Sequence, residues 1–269
     1  MRIVQKVALI CFLLMSSGST FAQNDYIVKH DNGEVNWNDL TIIAHGVGHF
    51  NPNLTPAQFQ LSGPRTARLD AEKNLLSTLL ELRYSSEYTV SDLLSESVET
   101  ANRIEQLMQH YRILTKTDIM TDSSVEIVIE LPLVGELFDE LSQVAEQGNS
   151  IDMRSSGLFA NTIMLADPIY FDCRGMNLKP ALAPRIFGEN GEALYSIHTV
   201  KQSVLQRGPI VTYLSAKSNS INPETIPAVK PIKVNICDLI IDDTAYGKLM
   251  SSEVSIKALN NGQVIILID

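Results

Sequence analysis

Several places in the sequence bring together side chains whose types could do chemistry. His45 and His49 have the i, i+4 spacing of a helical zinc pair, an arrangement that puts two imidazoles on one helix face. Their setting is that of a strand and turn, with Ile42 and Ile43 before and Gly46-Val47-Gly48 between them. Four extended residues span about 13 Å, too far to chelate one ion, so metal binding is not expected. The same Gly46-Val47-Gly48 shares two glycines with a dinucleotide fingerprint. The third is missing, and a proline-containing loop follows where a phosphate cradle needs a helix N-terminus.

Asp243-Thr244-Ala245 is close to the Asp-Thr-Gly of aspartic proteases, which need two carboxylates sharing a proton. No second copy occurs, so Asp242 or Asp243 is expected to cap the short helix that follows. Cys173 and His198 could act as thiolate and base, but nothing in the sequence places them together, and a structural cysteine is the expectation. No G-x-S-x-G elbow or P-loop occurs. An enzyme is not expected, and neither is a cofactor.

Two further pairs bear on binding or stability. Cys173 and Cys237 either form a disulfide or remain buried free thiols. A disulfide would close a long loop, worth roughly 4 kcal/mol in the chain-entropy model. Asp172 and Arg174 flank Cys173 on an extended segment, so their side chains share one face. They either form a structural ion pair at the turn that Gly175 opens, or bind a partner.

These residues lie in a chain that reads as exported. Arg2 and Lys6 precede the apolar run Val7 to Met15, and small residues lead to Thr20-Phe21-Ala22. This is the pattern of a cleavable signal peptide over residues 1–22, and the run is far short of the roughly 20 residues that span a bilayer. Cys11 lies inside the run rather than after it, so lipidation is not expected. The product is expected in the periplasm without a direct membrane span. With a formal charge of -10 and no clustered Lys or Arg, it is not expected to bind nucleic acid. A chain that is 45% hydrophobic and 19% charged can bury a core.

The elements predict an α+β fold: an N-terminal sheet packed by two to three helices, then a β-rich C-terminal half. The first unit covers 38–147. Leu40 to Val47 reads as a strand and Asn51 to Gly63 as a loop. Pro64 then begins a helix in which Ala67, Ala71, Leu75 and Leu79 make one apolar face, the alanines permitting close approach to the sheet. A strand around Tyr84 to Val90, a helix near Val98 to His110, two strands about Asp122-Ser123-Ser124 and a helix over Glu136 to Glu146 complete it. In the second of those strands Val125, Ile127, Ile129, Leu131 and Leu133 share one face, while Glu126 and Glu130 point to water. Gln147 to Gly157 reads as a linker. The second unit, 158–269, is a series of short strands with one helix near Thr244 to Met250.

Ile43-Ala44-His45-Gly46-Val47-Gly48, the helix with Ala67 and Ala71, the second helix, and the strand ending Ile129-Glu130-Leu131-Pro132-Leu133 resemble the domain of FlgP and related small bacterial envelope lipoproteins, over about residues 38–137. Asp172-Cys173-Arg174-Gly175, the stretch Lys179 to Ile186 and Gly191 to Tyr195 are similar to an extension of longer periplasmic proteins carrying the same first domain. The resemblance implies a non-catalytic structural or assembly role in the envelope. It also implies homo-oligomers, and partners among envelope or flagellar proteins. Unlike that family this chain has no lipobox cysteine, so its attachment would come from protein partners. A second reading is a periplasmic module that binds a small ligand or glycan between its halves.

Overall fold

The computed structural model describes residues 26–51, 53, 55–114, 118–119, 124–148, 167–215 and 226–269. The expected signal peptide with Cys11, and most of the expected linker, lie outside these residues. The fold is α+β, with an N-terminal sheet carrying helices and a β-rich second half.

The first sheet begins before residue 38, with β1 (Ile27–Lys29) and β2 (Gly33–Asn36) leading into β3 (Thr41–His49). Its order is β1-β2-β3-β6-β4, where β4 is Arg112–Ile113 and β6 is Ser124–Pro132, and β5 (Asp118–Ile119) also pairs with β6. The antiparallel register sets Ala44 opposite Ile129 and Gly46 opposite Ile127. As the alternation predicts, Val125, Ile129 and Leu131 are buried, whereas Glu126 and Glu130 lie on the wetter face.

Helix α1 (Pro56–Glu81) lies across this sheet. It starts a full two turns before the expected Pro64, which falls inside it. Pro56 occupies an opening position where a missing N–H costs nothing. Thr55 donates its hydroxyl to Gln58 Oε1 at 2.9 Å, and Phe59 stacks on Phe50 at 5.0 Å. These local contacts outweigh the single backbone bond that Pro64 removes.

The helix approaches β3 backbone to backbone. A Cβ on Gly46 would lie 2.1 Å from the Ala67 carbonyl oxygen, and one on Gly48 would lie 2.1 Å from that of Gly63. Pairing with β2 ends at Ala44, leaving one edge of the outer half of β3 bare. Helix side chains fill it: Asp70 Oδ2 accepts from the Val47 N–H at 3.0 Å, and Asn74 donates to the His45 carbonyl at 2.7 Å. The buried positions Ala67, Ala71, Leu75 and Leu79 are the predicted stripe.

Tyr84 to Val90 is not a strand. Ser85 Oγ accepts the backbone N–H groups of Glu87 and Tyr88, both at 3.2 Å, and Tyr84 N–H donates to the Tyr88 carbonyl, closing a tight turn. Local side-chain bonding of this kind competes with strand pairing. Thr89 then caps α2 (Val90–Ser95), α3 (Val98–Met108) follows, and α4 (Glu136–Gly148) packs beside it.

Among the described residues the second half holds two four-stranded sheets. One is wholly parallel, in the order β10 (Thr212–Ser215), β14 (Val264–Ile268), β7 (Ile169–Asp172), β11 (Ala228–Val229). The other is mixed, in the order β12 (Lys233–Asn235), β13 (Asp238–Ile241), β8 (Ile186–Gly188), β9 (Ala193–Tyr195). Helices α5 (Gln202–Leu205), α6 (Asp243–Ser251) and α7 (Glu253–Asn260) connect them. Of these, α6 is the expected helix, and β14 runs buried through the middle of its sheet.

Buried apolar residues from both halves form one continuous cluster. Trp37 meets Tyr213 edge-on at 5.4 Å, and a Cβ on Gly208 would press on Val134 at 2.8 Å.

Candidate functional site

The halves meet where the Arg83–Thr89 turn receives the chain leading into β8. Leu182 N–H donates to the Arg83 carbonyl at 3.0 Å, and Ala183 N–H to that of Tyr84 at 2.7 Å, so the contact is made of backbone as well as side chains. Arg185 follows. Its guanidinium donates to Asp238 Oδ2 from Nη2 at 2.7 Å and from Nε at 3.1 Å, to Ser86 Oγ at 2.9 Å, and to Glu87 Oε1 at 2.8 Å. Ser86 closes the network by donating to Asp238 Oδ2 at 2.5 Å.

Asp238, only 5% exposed at its side chain, is held from several sides. Besides the guanidinium and Ser86 it takes the Arg185 backbone N–H on Oδ1 at 2.9 Å. Burial works against the charged guanidinium, but the hydrogen bonds to Asp238 and Glu87 outweigh it and hold Arg185 above its usual range. The turn between β12 and β13 that delivers Asp238 is strained, with Ile236 at φ +60°, an uncommon conformation for a β-branched residue.

Beside this network opens a cleft of about 470 Å³ between the halves. The first half contributes Tyr84, Ser85, Glu87, Tyr88 and Ala145. The second contributes Ala183, Arg185, Phe187, Ala193 and the stretch Ser196 to Thr199. The guanidinium carbon of Arg185 stands 5.2 Å over the Phe187 ring. Tyr84 is anchored by its hydroxyl to Ser142 at 3.2 Å. The cleft thus combines aromatic and apolar walls with a few polar groups, the usual make-up of a small-molecule site. Sequence reading missed Arg185, Glu87 and Asp238 because they lie far apart in the chain. The available signal was the run of turn-forming residues Ser85-Ser86-Glu87.

The residues singled out from sequence do not converge on this cleft, except for His198, which lines it. Cys173 is not among the lining residues, and burial pushes its thiol up to about 12. Cys173 and Cys237 are both buried free thiols, so of the two alternatives the structure holds the second. Burial and the neighbouring Asp238 carboxylate also raise the Cys237 thiol. Neither presents a thiolate at neutral pH.

Asp172 and Arg174 pair with each other, Nε to Oδ1 at 2.7 Å and Nη2 to Oδ2 at 2.8 Å. Hydrogen bonding from Arg174 lowers the Asp172 carboxyl below its usual range. Gly175, at φ +74°, continues the turn and donates its N–H to Asp269 Oδ2 at 2.8 Å. His45 and His49 are on an extended strand, and His45 Nδ1 lies 3.0 Å from Glu126 Oε1. Asp242 caps α6, accepting the Ala245 N–H at 2.9 Å.

Residues 168–269 match the family described as Treponema pallidum Tp0624, second domain. The match covers the second half from residue 168 onward, including Asp172, Cys173, Arg185 and Asp238. No curated protein matches the chain. Among the described residues no helix is long and apolar enough to cross a membrane.

Proposed function

We propose that this chain is a non-catalytic, exported assembly protein of the bacterial envelope, which acts in the periplasm as one rigid block within a homo-oligomer. The observation that carries the reading is the junction. One apolar core runs through both halves, and backbone hydrogen bonds and the Arg185 network lock them together. A hinged enzyme or transporter-like receptor gains from an interface that opens, whereas an assembly unit gains from one that does not.

Two further observations support it. The glycine-lined contact of α1 on β3 is built from the same residues that resemble the FlgP-type domain. The second half matches a domain that stands second in another protein, as expected of a module used in combination. Association with the flagellar motor is the finer form of the proposal.

Crosslinking in the native cell, followed by identification of the captured proteins, tests this reading. Envelope or flagellar components and crosslinked copies of the chain are expected. A strictly monomeric protein that captures no envelope component would overturn it.

A further inference from the structure

The net negative charge of the chain is not shared between its halves. Residues 26–148 hold 8 Lys and Arg against 19 Asp and Glu, whereas residues 167–269 hold 10 of each. Much of the acid lies on the helices: α2, α3 and α4 together carry seven carboxylates and one arginine, Arg103. Between α3 and α4 runs a groove of about 470 Å³, with Arg103, His110, Glu136, Asp139 and Glu140 in its lining. Arg103 pairs with the buried Glu140 at 2.8 Å. Among the described residues Asp139 takes side-chain hydrogen bonds only from the neutral amides of Gln143 at 3.2 Å and Gln202 at 3.4 Å. Glu136 is exposed, as is Val98 at the start of α3.

The second half carries the complement. Lysines that stand apart in the sequence are brought by the fold to the edge strand β12. β11 pairs with β7 through Val229 and Phe171, which sets Lys230 beside the Asp172–Arg174 pair. The Lys179 N–H donates to the Ile236 carbonyl at 2.9 Å, which brings Lys179 to the end of β12. Lys179, Lys230 and Lys233 are exposed and form no ion pair among the described residues. The nearby carboxylates are engaged, Asp172 with Arg174 and Asp269 with the Gly175 N–H. Ile232 and Ile236 are exposed beside these lysines.

We infer that a second copy of this chain docks here: the basic edge around β12 of one molecule receives the acidic α3–α4 groove of the next. The inference rests on the homo-oligomer of the proposed function and names its interface. A contact between two different surfaces is head to tail, so it repeats into a ring or a filament instead of closing as a two-fold pair. Charge favours a copy of the chain over an anionic lipid surface. A bilayer that attracted the three lysines would repel the first half, where carboxylates far outnumber cations.

Sedimentation velocity of the full chain tests it. The wild type is expected to self-associate, and to do so about tenfold more weakly in about 0.5 M salt than in about 0.05 M, because exposed charges are screened. Lys230→Glu with Lys233→Glu, and separately Glu136→Lys with Asp139→Lys, are each expected to weaken association at least about tenfold. Mixing these two variants is expected to restore it, since each then offers the charge that the other lacks, and restoration also shows that both are folded. Lys248→Glu, at an exposed position of α6, is expected to change nothing. Wild-type association that salt does not weaken, or that neither reversal weakens, overturns this interface and leaves the homo-oligomer standing. A wild type that stays monomeric overturns both. Binding of that monomer to phosphatidylglycerol vesicles, lost in Lys230→Glu with Lys233→Glu, would assign the basic edge to lipid instead.

Discussion

Arg185 is the residue on which the junction depends most, because removing it leaves Asp238 charged and buried. Losing one partner of a buried pair costs more than the pair contributes. With Arg185 27% exposed, Arg185→Ala is expected to destabilise the protein by about 2 to 4 kcal/mol in urea unfolding. Lysine would not restore it, since the fork that reaches Asp238, Ser86 and Glu87 together needs a guanidinium. The Asp172–Arg174 pair makes a smaller, pH-dependent contribution. The folded carboxyl is depressed, so its stabilisation is present above the unfolded carboxyl value of about 4 and is lost as pH falls through the folded value. Asp172→Asn is therefore expected to be less stable than wild type at neutral pH, with the gap closing at acid pH. The two thiols give a third test. With both buried and protonated, alkylation without reductant is expected to modify neither in the native protein and both after unfolding.

The contact between α1 and β3 was legible in the sequence through Ala67 and Ala71, small residues at helical spacing that permit close approach to a sheet, whereas Gly46 and Gly48 read as a turn and lie within the strand, against the helix backbone. It also makes a sharp contrast. Gly46→Ala would put a methyl against helix backbone at 2.1 Å and is expected to cost at least about 3 kcal/mol or prevent folding. Gly247→Ala, in α6 with open space around it, is expected to stabilise by about 0.5 to 1 kcal/mol in the same assay. The alternation of β6 and the helix after Asp242 were equally readable, since each is a local pattern. Other elements were not. Pro64 marked a helix start only as long as the contacts of Thr55 and Phe59 were unseen, and Tyr84 to Val90 looked like a strand by composition until Ser85 closed it as a turn. β1 and β2 are short strands that pair with each other, and the pairing of β2 with β3 supplies what their own sequence lacks.

The junction and its cleft were the least legible features, because they are made by residues about a hundred positions or more apart. Ser86 and Glu87 meet Arg185 and Asp238, and no local period records such a meeting. What sequence presented as two units joined by a linker is, in its core, one cluster of buried side chains. That unity underlies the proposed role as a rigid assembly unit, and the chain carries its own reporter of it. Trp37, the single tryptophan, belongs to the first half and packs against Tyr213 of the second. In equilibrium urea unfolding, Trp37 fluorescence and far-ultraviolet circular dichroism should follow one coincident transition. A fluorescence change at lower urea than the loss of secondary structure, or two separated steps, would show the halves parting first and contradict the account.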